Sequence, residues 1–288
     1  MKFQENVSLA GQTSFKIGGP AKYFFTVESK EDLIEAINKI KKLKLPFFIL
    51  AGGNNVLALD KGYNGAIVKI LNSKFLIRDS NIYAGAGVVL AKLTALAADQ
   101  SLTGLEWAAG IPGTIGGAVY GNAQAFEGKM SDLVKSVEVF DVKTSKTKTL
   151  KKRGCKFSEK ESVFKKKKNL IILSVILKLK RGKKNKIEKK IREHIFVRKR
   201  NQPLQFPSAG SVFVNQPGQP PSSYLIDKAG LKGKKVGAAQ VSEKHAGFII
   251  NKGGAKAKDI LKLIKIIKKE VKKKFKISLK EEIQIIKN

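Results

Sequence analysis

Cysteine is nearly missing from this chain. Cys155 stands alone among 288 residues, so no internal disulfide can form and a reducing compartment, the cytoplasm, is the expected setting. Histidine is almost as scarce. His194 and His245 each lack a second His or Cys at ligand spacing, so no metal site is expected. No apolar run reaches the roughly 20 residues a membrane helix needs; the longest, Leu170 to Leu177, falls far short. The opening residues Met1-Lys2-Phe3-Gln4-Glu5 give no secretory h-region. The Rossmann fingerprint, the P-loop Gly-Lys-Ser/Thr and the serine-hydrolase elbow are missing too.

Acidic residues are in deficit, with 23 Asp and Glu against 57 Lys and Arg and a net charge of +34. Clustered cations displace counterions from phosphates, so a basic nucleic-acid binder is one reading. The lysines are spread along the chain, however. The runs Lys165 to Lys168 and Lys272 to Lys274 carry no interleaved aromatics for base stacking. Solvated faces are the favoured reading, with no nucleic-acid partner, and the charge would steer anionic substrates.

What is present describes a globular protein with a core: 42% hydrophobic and 28% charged residues, at a length that suggests two domains. Ser29 followed by Asp32 predicts a capped helix with Leu33, Ile37 and Ile40 on its apolar face. Strands are expected at 47–50, 66–70, 82–84, 137–142 and 170–179, and a helix with Leu90, Leu93 and Ala97 on one face. The polar stretch 181–186 reads as a hinge between a first domain, 1–182, and a second, 183–288. A basic helix over about 187–200 carries Ile187, Ile191 and Ile195, leaving His194 exposed. Ile260, Ile264, Ile267, Val271 and Phe275 form a helical stripe, and Ile283 and Ile285 alternate as a last strand. Short strands and helices without regular βαβ spacing indicate an α+β fold.

Two glycine-rich segments follow apolar strands: Gly52-Gly53-Asn54-Asn55 and the run Gly110-Ile111-Pro112-Gly113-Thr114-Ile115-Gly116-Gly117, which continues to Asn122. Without side chains, backbone can approach a ligand and turn its N–H groups inward around an anion. A dinucleotide diphosphate suits two such loops. The first pair alone could equally be a tight turn; the density of the second favours ligand contact.

Taken in order, the motifs resemble one family over nearly the whole chain, the UDP-N-acetylenolpyruvoylglucosamine reductases (MurB). They are Thr13 to Ala21, Leu50 to Leu57 with Asn54 where serine is usual, Gly110 to Ala123, Ser208 to Asn215, Lys244 to Asn251 and Leu279 to Ile283. The resemblance implies a FAD-binding domain of the flavin-oxidase (PCMH) type, followed by a smaller α+β substrate-binding domain. It further implies FAD and the consumption of NADPH; a monomer with non-covalently held flavin is expected. The implied reaction is ping-pong: the flavin is reduced first, and hydride then passes to the enolpyruvyl double bond of a UDP-sugar for peptidoglycan synthesis. FAD would lie against Gly52, Gly53, Asn54, Asn55, Gly110, Ile111, Pro112, Gly113, Gly116, Gly117 and Asn122. Asn215 would meet the substrate.

The same resemblance makes Ser211 the proton donor and Glu282 the support for the enolic oxygen. The family's Tyr-Arg-x-Ser motif is replaced here by Glu159-Lys160-Glu161-Ser162, so either Lys160 carries the arginine's role with the charge but without the planar fork, or another cation substitutes, or activity is reduced. Gln124 replaces a common glycine. A flavin-dependent sugar or alcohol oxidase of the same fold is the nearest alternative. Many such oxidases tether flavin to histidine, and both histidines here lie beyond residue 190.

Overall fold

The computed structural model describes residues Met1–Asn288. Eight helices run in chain order: α1 Lys30–Lys42, α2 Leu90–Asp99, α3 Ile115–Tyr120, α4 Met130–Leu133, α5 Val163–Lys166, α6 Lys184–Asn201, α7 Ser222–Lys228 and α8 Ala257–Phe275. The chain forms two compact units. The first holds residues 1–4, 24–52 and 67–198; the second holds 5–23, 53–66 and 199–288. This differs from the expected division at 182/183. Most of α6, up to Arg198, belongs to the first unit.

The first unit is built on a five-stranded antiparallel sheet. Leu170–Lys178 is its central strand, flanked by Val134–Asp141 and Asn81–Gly85. Residues on both faces of that central strand are buried, which is why its sequence is a continuous apolar run rather than an alternation. The edge strand Lys146–Lys151 is mostly exposed and rich in lysine, which discourages pairing with other chains. The local signals at α1 hold: Ser29 Oγ accepts the Asp32 amide at 3.0 Å, and Leu33, Ile37 and Ile40 are buried.

The second unit centres on a four-stranded antiparallel sheet in the order Ser208–Ser211, Phe248–Asn251, Ala239–Val241, Lys235–Val236. The stripe of α8 supplies its core with Ile260, Leu263, Ile264, Ile267 and Val271. The Asp60 carboxylate accepts the amides of Ala257 and Lys258 at 2.8 and 3.1 Å, a favourable charge at a helix start. Gly18 and Gly19 belong to close packing, since a Cβ on Gly18 would stand 2.6 Å from Ala58 Cβ and one on Gly19 2.3 Å from the Asp60 carbonyl oxygen. The last strand is Gln284–Ile286, parallel to Val56–Ala58. Its buried isoleucines are Ile283 and Ile286 rather than the alternating pair 283 and 285.

Candidate active site

In the first unit, three glycine turns converge. Gly85 and Gly87 lie so close to Leu71 and Asn72 that a Cβ on either would come within 2.6 Å of those residues. The next turn packs on this one: a Cβ on Gly116 would lie 2.8 Å from both the Cβ and the carbonyl oxygen of Ala86. Gly117 in turn faces Ala51, the residue before Gly52-Gly53, with 3.4 Å between an added Cβ and Ala51 Cβ. The two loops singled out from sequence therefore meet at Ala51 and Gly117. Gly110 (φ +74°) and Gly113 (φ +122°) adopt backbone that disfavours any side chain.

The amides of the long loop are less bare than the glycine density implies. Ile111, Ile115 and Gly116 donate to the carbonyls of Ala108, Val88 and Ala86, and Gly117 N–H meets Thr114 Oγ1 at 3.4 Å. At Gly116 and Gly117 glycine supplies thinness, not free donors. Asn122 (φ +43°) is buried with both ends of its amide in use. Its Oδ1 accepts from Ser131 N–H at 2.9 Å and its Nδ2 donates to the Ser158 carbonyl at 2.8 Å.

That second bond fastens the Lys160 turn to the end of the glycine loop. Ser158 and Glu161 exchange backbone bonds around it, and buried Ser162 donates to the Tyr120 carbonyl at 2.6 Å. Gln124 also bonds Glu159, so two of the departures from the family pattern touch each other. Lys160 is half-buried.

The second unit gathers another set. Glu282 N–H donates to the Val212 carbonyl at 2.8 Å, and Phe213 bridges Glu281, setting Glu282 beside the Ser211 segment. Asn55 Nδ2 reaches the Glu282 carbonyl at 3.2 Å. Ser211 Oγ donates to the Phe213 carbonyl at a long 3.2 Å, a bond readily exchanged for a ligand. Gly53 belongs here too: its carbonyl accepts from the backbone and hydroxyl of Ser14, and a Cβ would stand 2.1 Å from the Gln12 carbonyl oxygen. Asn215 is exposed, and its Oδ1 accepts from the amide and hydroxyl of Ser222, holding the start of α7.

The sequence left His245 between a structural and a substrate-facing role. A Cβ on Gly247 would lie 3.1 Å from His245 Cε1 and 3.2 Å from Ser211 Oγ, so the imidazole and the hydroxyl border one gap. Burial holds the His245 pKa below its ordinary value, and Nδ1 accepts from Gly247 N–H at 3.2 Å. The ring proton therefore sits on Nε2. His194, expected to be exposed, is half-buried: Nδ1 meets the Glu106 carbonyl at 2.8 Å and the ring stacks on Phe126. The charged neighbours of His194 in sequence gave no hint of a flat aromatic partner so far away along the chain.

A family description, "FAD binding domain", matches residues 21–151, and another, "UDP-N-acetylenolpyruvoylglucosamine reductase, C-terminal domain", matches 202–286. A reductase of that name from Clostridium botulinum Eklund 17B is 42% identical over 286 residues, 99% of this chain and 93% of its own. The chain belongs to the UDP-N-acetylenolpyruvoylglucosamine reductase family. The family member from Caldanaerobacter subterraneus is also 42% identical, across 99% of this chain and 94% of its own. The crystal structure of the Thermus caldophilus reductase superposes with a TM-score of 0.85 at 35% identity, covering 99% of both chains. The fold is α+β, with a FAD-binding domain and the reductase family's C-terminal domain. The convergent glycine turns fit the cofactor as thin backbone: Gly117, beside Ala51, carries no side chain to hold a ligand away.

Proposed function

We propose that this chain is a UDP-N-acetylmuramate dehydrogenase: with FAD and NADPH it reduces the enolpyruvyl ether of UDP-N-acetylglucosamine to the lactyl ether used in peptidoglycan synthesis. The observation that carries the reading is the meeting of Ser211 and Glu282, distant in sequence, on adjoining backbone in the second unit. Cofactor holding is assigned to the stretch within 1–182 and substrate recognition to that within 183–288. The family matches at 21–151 and 202–286 support this assignment.

FAD, when bound, supplies the two-electron chemistry between NADPH and the enolpyruvyl carbon. The protein must manage the charge that follows. Hydride arriving at C3 leaves negative charge on C2 and the adjoining carboxylate, which needs electrostatic support and then a proton. Ser211 Oγ gives that proton to C2, exchanging its weak bond to the Phe213 carbonyl for the substrate. Glu282 supports the enolic oxygen. Lys160 pairs with the substrate carboxylate as a point charge, with less orientation than an arginine fork gives. No residue before 194 is a histidine, which supports a non-covalent flavin.

A monomeric state and a cytoplasmic setting complete the proposal, the latter supported by the single buried Cys155. No helix is long and apolar enough to cross a membrane. The test is NADPH consumption that depends on the enolpyruvyl UDP-sugar, with a product two hydrogens heavier by mass spectrometry. NADPH oxidation indifferent to that substrate, or driven instead by sugars and oxygen, overturns the reading.

A further inference from the structure

One face of α6 ties the start of the long glycine loop to its end. Arg198 is 9% exposed, and its partners are two carbonyls and an aromatic ring. Nε donates to the Ala109 carbonyl at 2.8 Å, and a terminal nitrogen donates to the Trp107 carbonyl at 3.4 Å. The Arg198 side chain also lies across Gly110, where a Cβ would stand 3.0 Å from Arg198 Cδ. One helical turn earlier, His194 Nδ1 donates to the Glu106 carbonyl at 2.8 Å. Residues 106–110, which lead into the loop, are thus held at three carbonyls.

The segment that leaves the loop meets the same two side chains. Phe126 stacks on His194 with ring centroids 3.9 Å apart and planes 10° apart, and the Arg198 guanidinium stands 5.2 Å from its centroid. Two residues on, Gly128 lies against the Trp107 ring so tightly that a Cβ would be 2.1 Å from the indole Cδ1. The two feet of the loop therefore share one clamp. A buried guanidinium is costly unless hydrogen-bonded, and donating to carbonyls while covering a ring face meets that need.

We infer that the His194–Arg198 face of α6 is a positioning device for the cofactor loop, fixing the span from Gly110 to Phe126 before FAD binds. Neither residue need touch the cofactor. A loop already held at both feet loses less conformational freedom on binding, so its ligand binds more tightly. The inference rests on the FAD reading above.

The test uses full-length apoprotein of wild type, R198M, R198K and H194Q. Three quantities are measured: FAD affinity by flavin fluorescence quenching, the visible circular dichroism of bound flavin, and hydrogen exchange. Charge-assisted hydrogen bonds of this kind correspond to roughly ten- to hundredfold in an equilibrium constant, so R198M is expected to bind FAD that much more weakly. Exchange should speed up across 106–128 and stay unchanged in the central strand Leu170–Lys178. R198K and H194Q are expected to fall between R198M and wild type. A folded R198M apoprotein with wild-type FAD affinity overturns the inference. So does weakened affinity without faster exchange at 106–128, which would mean direct contact with the cofactor. If R198M does not fold, R198K decides by the same two readouts. Wild-type protein that takes up no FAD would remove the cofactor reading itself, a different failure from an unaffected R198M.

Discussion

Adding one methyl group at Gly117 separates a packing role from a ligand role. Gly116 and Gly117 are neighbours in α3 but face different things. A Cβ on Gly116 would press to 2.8 Å on both the side chain and the backbone of Ala86, whereas one on Gly117 meets only Ala51 Cβ at 3.4 Å and Thr114 Oγ1 at 3.8 Å. Overpacking a closed site costs about 1–3 kcal/mol, so G116A should unfold several degrees earlier, at roughly 2–4 °C per kcal/mol for a domain of this size. G117A has room, and alanine in a helix interior is favoured over glycine by about 0.8–1.0 kcal/mol. Its apoprotein should be at least as stable as wild type. If the backbone surface at Gly117 lines the cofactor, however, the methyl intrudes on it, and a 1–3 kcal/mol penalty weakens FAD binding by about 5- to 150-fold. The assay is thermal unfolding of the two apoproteins beside FAD titration. G117A that binds FAD as wild type does would refute the idea that these loops form the cofactor wall.

Three further outcomes are expected. S211A should keep reduction of its flavin by NADPH and lose reoxidation by the enolpyruvyl substrate; equal loss of both half-reactions would assign Ser211 to folding. K160R restores the planar fork and should raise the rate of the second half-reaction, and a fall in that rate would show that the turn from Ser158 to Glu161 is shaped for lysine. Asp141, which accepts from Lys148 at 2.7 Å, from Asn169 at 2.6 Å and from the Lys143 amide, has its pKa lowered to about 2, chiefly by the Lys148 bond. A depressed folded pKa gives stability that is present above the unfolded value, near 3.9, and lost as pH falls through about 2. D141N should therefore flatten the stability profile between those limits, and acid-denaturation curves identical to wild type would contradict this.

Local chemistry was legible in the sequence, and long-range packing was not. The Ser29 cap, the α8 stripe and the apolar strand at 170–178 depend on neighbours within a turn or two, and each lies where periodicity puts it. The parallel pairing of Gln284–Ile286 with Val56–Ala58 joins segments from opposite ends of the chain. That pairing sets Ile283 and Ile286 inward, which a simple alternation from Ile283 could not foretell. Glycine count did not give the reason for each glycine: Gly53 and Gly116 are squeezed by backbone, while a Cβ on Gly117 would meet its neighbours at ordinary contact distance. Arg198 reads as one more cation on a basic helix. Its burial follows from carbonyls and a ring brought together only by folding. The division into units escaped notice for a similar reason, because 5–23 and 53–66 join the second unit through contacts distant in sequence.

An anaerobic stopped-flow experiment tests the central claim most directly. Holoprotein is reduced with one equivalent of NADPH and then mixed with enolpyruvyl UDP-N-acetylglucosamine while the flavin band near 450 nm is followed, roughly the absorbance region of any oxidised flavin bound to protein. Rapid return of the oxidised band, with one lactyl ether formed per flavin, is the predicted result. A flavin that stays reduced in the presence of that substrate and recovers only when oxygen is admitted would contradict the account.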